Sequence, residues 1–91
     1  MSLVTERIED NVLYLELNGR IDSSNADQAE ELIKAIKEAH PDLQSVLDAE
    51  NLEYLSSAGL RVVLRMRKDT ADLKIINVST EVYEILDMTG F

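Results

Sequence analysis

Tyr54-Leu55-Ser56-Ser57-Ala58-Gly59-Leu60-Arg61 is the stretch that decides the architecture. Leu52-Glu53-Tyr54-Leu55 leads into it as a strand. Leu60, Val63 and Leu64 follow it on one helical face, with the stem of Arg67 as a fourth inward candidate. The spacing predicts a helix from about Ala58 to Lys68, with Ser57 at its start and at least partly exposed. Short hydroxyl residues suit that junction, because they cap the free N–H groups of a first turn. The same N–H groups and the helix dipole favour negative charge, so the fold would tolerate a phosphate on Ser57. On the residues alone, the plainer account is that Ser56 and Ser57 are both caps.

Strands and helices alternate on both sides of this junction. Leu3 to Ile8 and Val12 to Leu17 read as two strands around a turn at Glu9-Asp10-Asn11. Leu13, Leu15 and Leu17 line one face of the second strand, and Val12, Tyr14 and Glu16 the other. Asn18-Gly19 ends or kinks that run, and Arg20-Ile21-Asp22 continues it briefly. Ser23-Ser24-Asn25 supplies N-cap chemistry, and Asn25 with Gln28 resembles a capping box. The helix that follows carries Ala26, Ala29, Leu32, Ile33 and Ile36 on one face and closes at His40-Pro41-Asp42. Ser45-Val46-Leu47 is a short buried strand. Leu73 to Val78 is the last strand, and Ser79 caps a closing helix holding Val82, Ile85, Leu86 and Met88. The predicted fold is therefore α/β: a mixed four-stranded sheet whose later strands are parallel, with its helices mainly on one face.

Length and composition narrow the function. Ninety-one residues make a single domain, 1–91, with a small core. Eighteen acids against nine bases give a net charge of −9, which repels phosphate backbones and argues against nucleic-acid binding. The chain has no Cys, so disulfides, thiolate metal sites and a Cys nucleophile are all excluded. That absence fits a reducing compartment, and a cytoplasmic location is expected. Apolar runs reach only about four residues against the ~20 that span a bilayer, so no membrane insertion is expected. No signal peptide is visible. His40, the one histidine, has no partner for a metal site and reads as a helix C-terminal or solvent residue. With no phosphate-binding loop, no dinucleotide motif and no base but His40 for a serine nucleophile, the chain reads as a non-enzyme with no catalytic residue and no cofactor. Arg61, Arg65 and Lys68 share one helical face, and Arg61 lies one turn beyond Ser57.

Three stretches together carry a family resemblance. Tyr54 to Leu60, followed by Val62-Val63-Leu64, resembles the signature of the STAS domain of bacterial anti-sigma factor antagonists: an apolar pair, Asp, Ser, a small residue, Gly and Leu. Leu17-Asn18-Gly19-Arg20-Ile21-Asp22 resembles the family's segment before its first helix. Asn77-Val78-Ser79 with Val82 and Leu86-Asp87-Met88-Thr89-Gly90-Phe91 resembles its closing helix. The sequence departs from the pattern in two places. Ser56 stands where the family has Asp, and the chain ends at Phe91, where members usually add a further strand and helix.

The resemblance implies a transcription regulator that works by partner switching. It places the modified serine at Ser57 and Asp22 beside it, although helix capping is an equally good account of Asp22. The implied contact surface is Asp22, Ser23, Ser56, Ser57, Ala58, Gly59 and Arg61. The implied partners are an anti-sigma factor that is also a serine kinase, and a serine phosphatase that reverses its action. The alternative is a STAS subunit of a transporter or signalling assembly in which Ser57 is only a helix cap.

Overall fold

The computed structural model describes residues 2–70 and 72–88. Its elements are β1 (Val4–Glu9), β2 (Val12–Ile21), α1 (Ala26–Ala39), β3 (Gln44–Leu55), α2 (Ser57–Asp69), β4 (Lys74–Ile76) and α3 (Thr80–Asp87). The strands lie side by side in the order β1-β2-β3-β4. β1 and β2 are antiparallel, and β2, β3 and β4 are parallel to one another. Asp10 and Asn11 make the hairpin turn with φ of 51° and 64°. Two left-handed residues in succession match the right-handed twist of the strands, and Asp and Asn tolerate that conformation best after glycine.

All three helices pack on one face of the sheet. Leu13, Leu15 and Leu17 of β2, Leu47, Ala49, Leu52 and Leu55 of β3, and Val4 of β1 meet Ala26, Ala29 and Ile33 of α1 there. Val62, Val63 and Met66 of α2 and Val82 and Leu86 of α3 complete this core. The α1 face is the one its spacing predicts, with Leu32 and Ile36 at its margin.

The opposite face is polar and cross-linked. Asp48 is only 3% exposed although it lies on the side away from the helices. Its carboxylate accepts hydrogen bonds from Arg7 Nη1 at 3.1 Å, Asn77 Nδ2 at 3.0 Å and the Glu50 N–H at 3.0 Å. Burial opposes its charge, but these donors outweigh burial and hold its pKa below the ordinary carboxylate value. Arg7 also donates to Glu16 at 2.8 Å and lies over the Tyr14 ring.

Several elements differ from the sequence expectation. β2 runs on through Asn18-Gly19 to Ile21, with register shifts that kink it without ending it. β3 is one strand of 12 residues, joining the two short ones expected. In both, buried polar residues find partners in neighbouring segments: Asn18 Nδ2 donates to Ser2 O and Thr5 Oγ1. α2 turns Gly59, Val62, Val63 and Met66 inward; Arg67 is exposed and Leu64 only half-buried. β4 is shorter than expected because Asn77, at φ 58°, leaves the strand conformation. Met88 is 87% exposed, lying past the end of α3, so it adds nothing to the core. Thr89, Gly90 and Phe91 lie outside the described residues.

Candidate functional site

The parallel pairing of β2 with β3 brings two strand-to-helix turns together. Ile21 is opposite Leu55 in the register, and the Ser56 N–H donates to Ile21 O at 2.9 Å. The end of β2, with Asp22 next in the chain, therefore lies directly against the start of α2. This is the carboxyl end of the parallel strands, where α/β folds commonly place their sites.

In the β3–α2 turn the two serines have separate roles. Ser56 is the N-cap: its backbone is extended, and its Oγ accepts from the Gly59 N–H at 3.3 Å. Ser57 is the first helical residue, is exposed, and makes no side-chain hydrogen bond among the described residues. The account in which Ser57 is itself the cap is thus corrected. Ser and Asp are both strong N-caps, so Ser56 performs the structural part of what an Asp would do there. Gly59 is buried. A Cβ on it would lie 2.7 Å from Ile21 O, 2.7 Å from Leu55 Cδ1 and 3.0 Å from Ile21 Cγ2. Only glycine lets α2 start this close to β2, so Gly59 positions the surface from beneath it.

In the β2–α1 turn, Asp22 Oδ1 accepts from the Ser24 N–H at 2.9 Å and from Ser24 Oγ at 2.6 Å. These bonds, with a smaller contribution from Arg20, hold the Asp22 carboxyl below its ordinary pKa. Asn25 makes no capping bond, so the expected box with Gln28 does not form. Its side chain ties the turn back to β2: Oδ1 accepts from the Asp22 N–H at 2.9 Å, and Nδ2 donates to Arg20 O at 2.8 Å. Ser23 is exposed.

Around Ser57 lies an open hollow lined by Tyr54, Leu55, Leu60, Ile85 and Met88. The sequence reading places Ile85 and Met88 in the closing helix and Tyr54 in the strand before the turn, without bringing the three together. Arg20 lies over the Tyr54 ring at 4.5 Å. Of the α2 cations, Arg65 forms a two-pronged pair with Glu30, 2.7 and 2.9 Å, which holds Glu30 below its ordinary pKa. Arg61 is exposed and unengaged among the described residues. His40 is away from this site, as the C-cap of α1, with Nε2 3.0 Å from Glu6. Among the described residues no cluster of His, Cys, Asp or Glu could hold a metal, and no helix is long and apolar enough to cross a membrane.

Comparison with known proteins yields consistent matches. A family model described as STAS domain matches residues 4–91. BtrV of Bordetella bronchiseptica, named as a candidate anti-sigma factor antagonist, is 35% identical over 96 residues, covering 100% of this chain and 80% of that protein. An anti-sigma factor antagonist from Mycobacterium paratuberculosis has the same fold, with a TM-score of 0.81 at 21% identity over 96% of this chain and 76% of that one. The anti-sigma factor antagonist SpoIIAA in its unphosphorylated form gives a TM-score of 0.69 at 21% identity, over 96% and 80%.

Proposed function

The chain belongs to the STAS domain family, among the anti-sigma factor antagonists, and we propose that it is a protein-binding switch controlled by phosphorylation of Ser57. The carrying observation is the exposed, unbonded Ser57 hydroxyl beside a separate cap, Ser56. Unmodified, the chain binds an anti-sigma factor and so frees the sigma factor. The anti-sigma factor is also a serine kinase; it transfers a phosphoryl group from ATP to Ser57, and a serine phosphatase removes it. The chain performs no catalysis and acts in the cytoplasm as a single domain. Asp22, Ser23, Ser57, Ala58 and Arg61 form the contact surface, with Ser56 and Gly59 holding it in place.

A phosphoserine adds about −1.5 to −2 charge at neutral pH. At the centre of a contact surface it must be desolvated and meets any acidic group opposite, at a cost of several kcal/mol. Binding ends without any change of fold.

The test uses the anti-sigma kinase of the same cell. Ser57→Ala should bind it and resist phosphorylation, and Ser57→Asp should bind about tenfold or more weakly. Equal affinity of wild type and both variants would end this reading. Capture of a membrane transporter in place of a kinase would favour the subunit alternative.

A further inference from the structure

We propose that Arg61 is the counter-ion of the phosphate on Ser57, held at the partner-facing surface in the unmodified protein and drawn onto the phosphate when Ser57 is modified. The inference rests on the phosphorylation reading above and deepens it.

The chain has five arginines, and four are engaged. Arg7 pairs with Glu16 and Asp48, Arg20 lies over Tyr54, Arg65 is clamped by Glu30, and Arg67 has its own contact. Arg61 has none among the described residues and is exposed. It lies four positions after Ser57 in one helix, where side chains are neighbours at about 5–6 Å between Cβ atoms. Helical side chains lean towards the N-terminus, which puts the turn that starts with Ser57 within reach of the Arg61 guanidinium. A planar guanidinium beside a phosphate makes a charge-assisted pair. Among the described residues no existing contact must break for it to form, in contrast to Arg65. The pair would withdraw a cation from the contact surface while the phosphate adds its own charge, so one modification changes the surface twice.

Phosphoserine is placed at position 57 during translation, so that no kinase is needed, and the phosphate is titrated by phosphorus NMR. Its second pKa is ordinarily about 6, and a neighbouring cation lowers it. Arg61→Ala should raise it by about 0.2–0.7 unit, Arg61→Lys should keep much of the depression, and Arg65→Ala should leave it unchanged. The first-turn N–H groups, Arg20 on β2, Asp22 in the β2–α1 turn and Glu53 on β3 are common to all these proteins and cancel in the comparison. Identical titration of wild type and Arg61→Ala would overturn the proposal. So would an equal shift in Arg65→Ala, which would point to a diffuse field. Absence of Ser57 phosphorylation in the cell would instead overturn the switch reading and leave the titration result standing.

Discussion

Two turns lie side by side at one end of the sheet, and each has a pair of serines. In the β2–α1 turn the fixed groups are Asp22 and Asn25, tied to Ser24 and to the strand behind. In the β3–α2 turn a single hydroxyl, Ser56, holds the helix start. The helices also start in opposite phase. α1 buries its first residue, Ala26, and exposes its third, Gln28; α2 exposes its first, Ser57, and buries its third, Gly59. The rotation of a helix about its axis thus decides whether a serine in its first turn is a packing residue or an accessible one.

The strongest way to break this contrast is to alter the third positions. Gly59→Ala should cost about 1–3 kcal/mol in denaturant unfolding, because the new methyl meets the Ile21 carbonyl and Leu55. Gln28→Ala, at the same position of α1, should stay within about 0.5 kcal/mol of wild type. A tolerant Gly59→Ala would show that α2 does not need its close approach to β2.

Next comes the cap. Ser56→Ala should cost roughly 1 kcal/mol, and Ser56→Asp should recover most of it, since both residues accept from the N–H at the third position. Failure of Asp to rescue would mean that Ser56 has a role other than capping.

A smaller effect separates the turns by pH. The Asp22 pKa is lowered in the folded protein, so its stabilisation is present above the unfolded value and is lost as pH falls through the folded one. Ser24→Ala removes the hydroxyl donor, and carboxyl NMR should show Asp22 titrating closer to its ordinary value. An unmoved titration would remove Ser24 from that role.

The smallest effect should be at Ser57. Ser57→Ala should leave unfolding within about 0.5 kcal/mol of wild type, since the hydroxyl bonds to nothing among the described residues. The phosphorylated protein should also melt close to the unmodified one. The local interaction at the helix start, about 0.3–1 kcal/mol, offsets a repulsion that salt screens beyond about 8–10 Å. A large drop on phosphorylation would mean that the signal travels by unfolding.

Much of this was legible in the sequence, because one-face apolar patterns are local. The order of elements, the buried face of α1 and the place of Ser57 at a helix start all follow from neighbours within a few positions. Features set by distant partners were not legible. Asp48 and Asn18 look like strand breakers until Arg7, Asn77 and Thr5 arrive to satisfy them. Asn25 has the composition of a cap, but its side chain is taken by β2. Arg67 and Met66 differ by one position, and only the approach of α2 to the sheet, permitted at Gly59, decides which of them is inside. The hollow beside Ser57 joins β3, α2 and α3, and no local pattern announces such a meeting.

The Asp48 hub also bears on the order of events in folding. β1 and β2 meet across a two-residue turn, and such hairpins form in about 1–10 μs. Asp48 meets Arg7 41 positions away and Asn77 29 positions away. Those contacts wait for both crossovers to close, so the hub is completed late. Its loss then falls on the escape rate from the native state, as a change in the unfolding arm of a chevron with the folding arm almost unmoved. The polar face of the sheet, opposite the helices, would thereby set how long each copy stays folded.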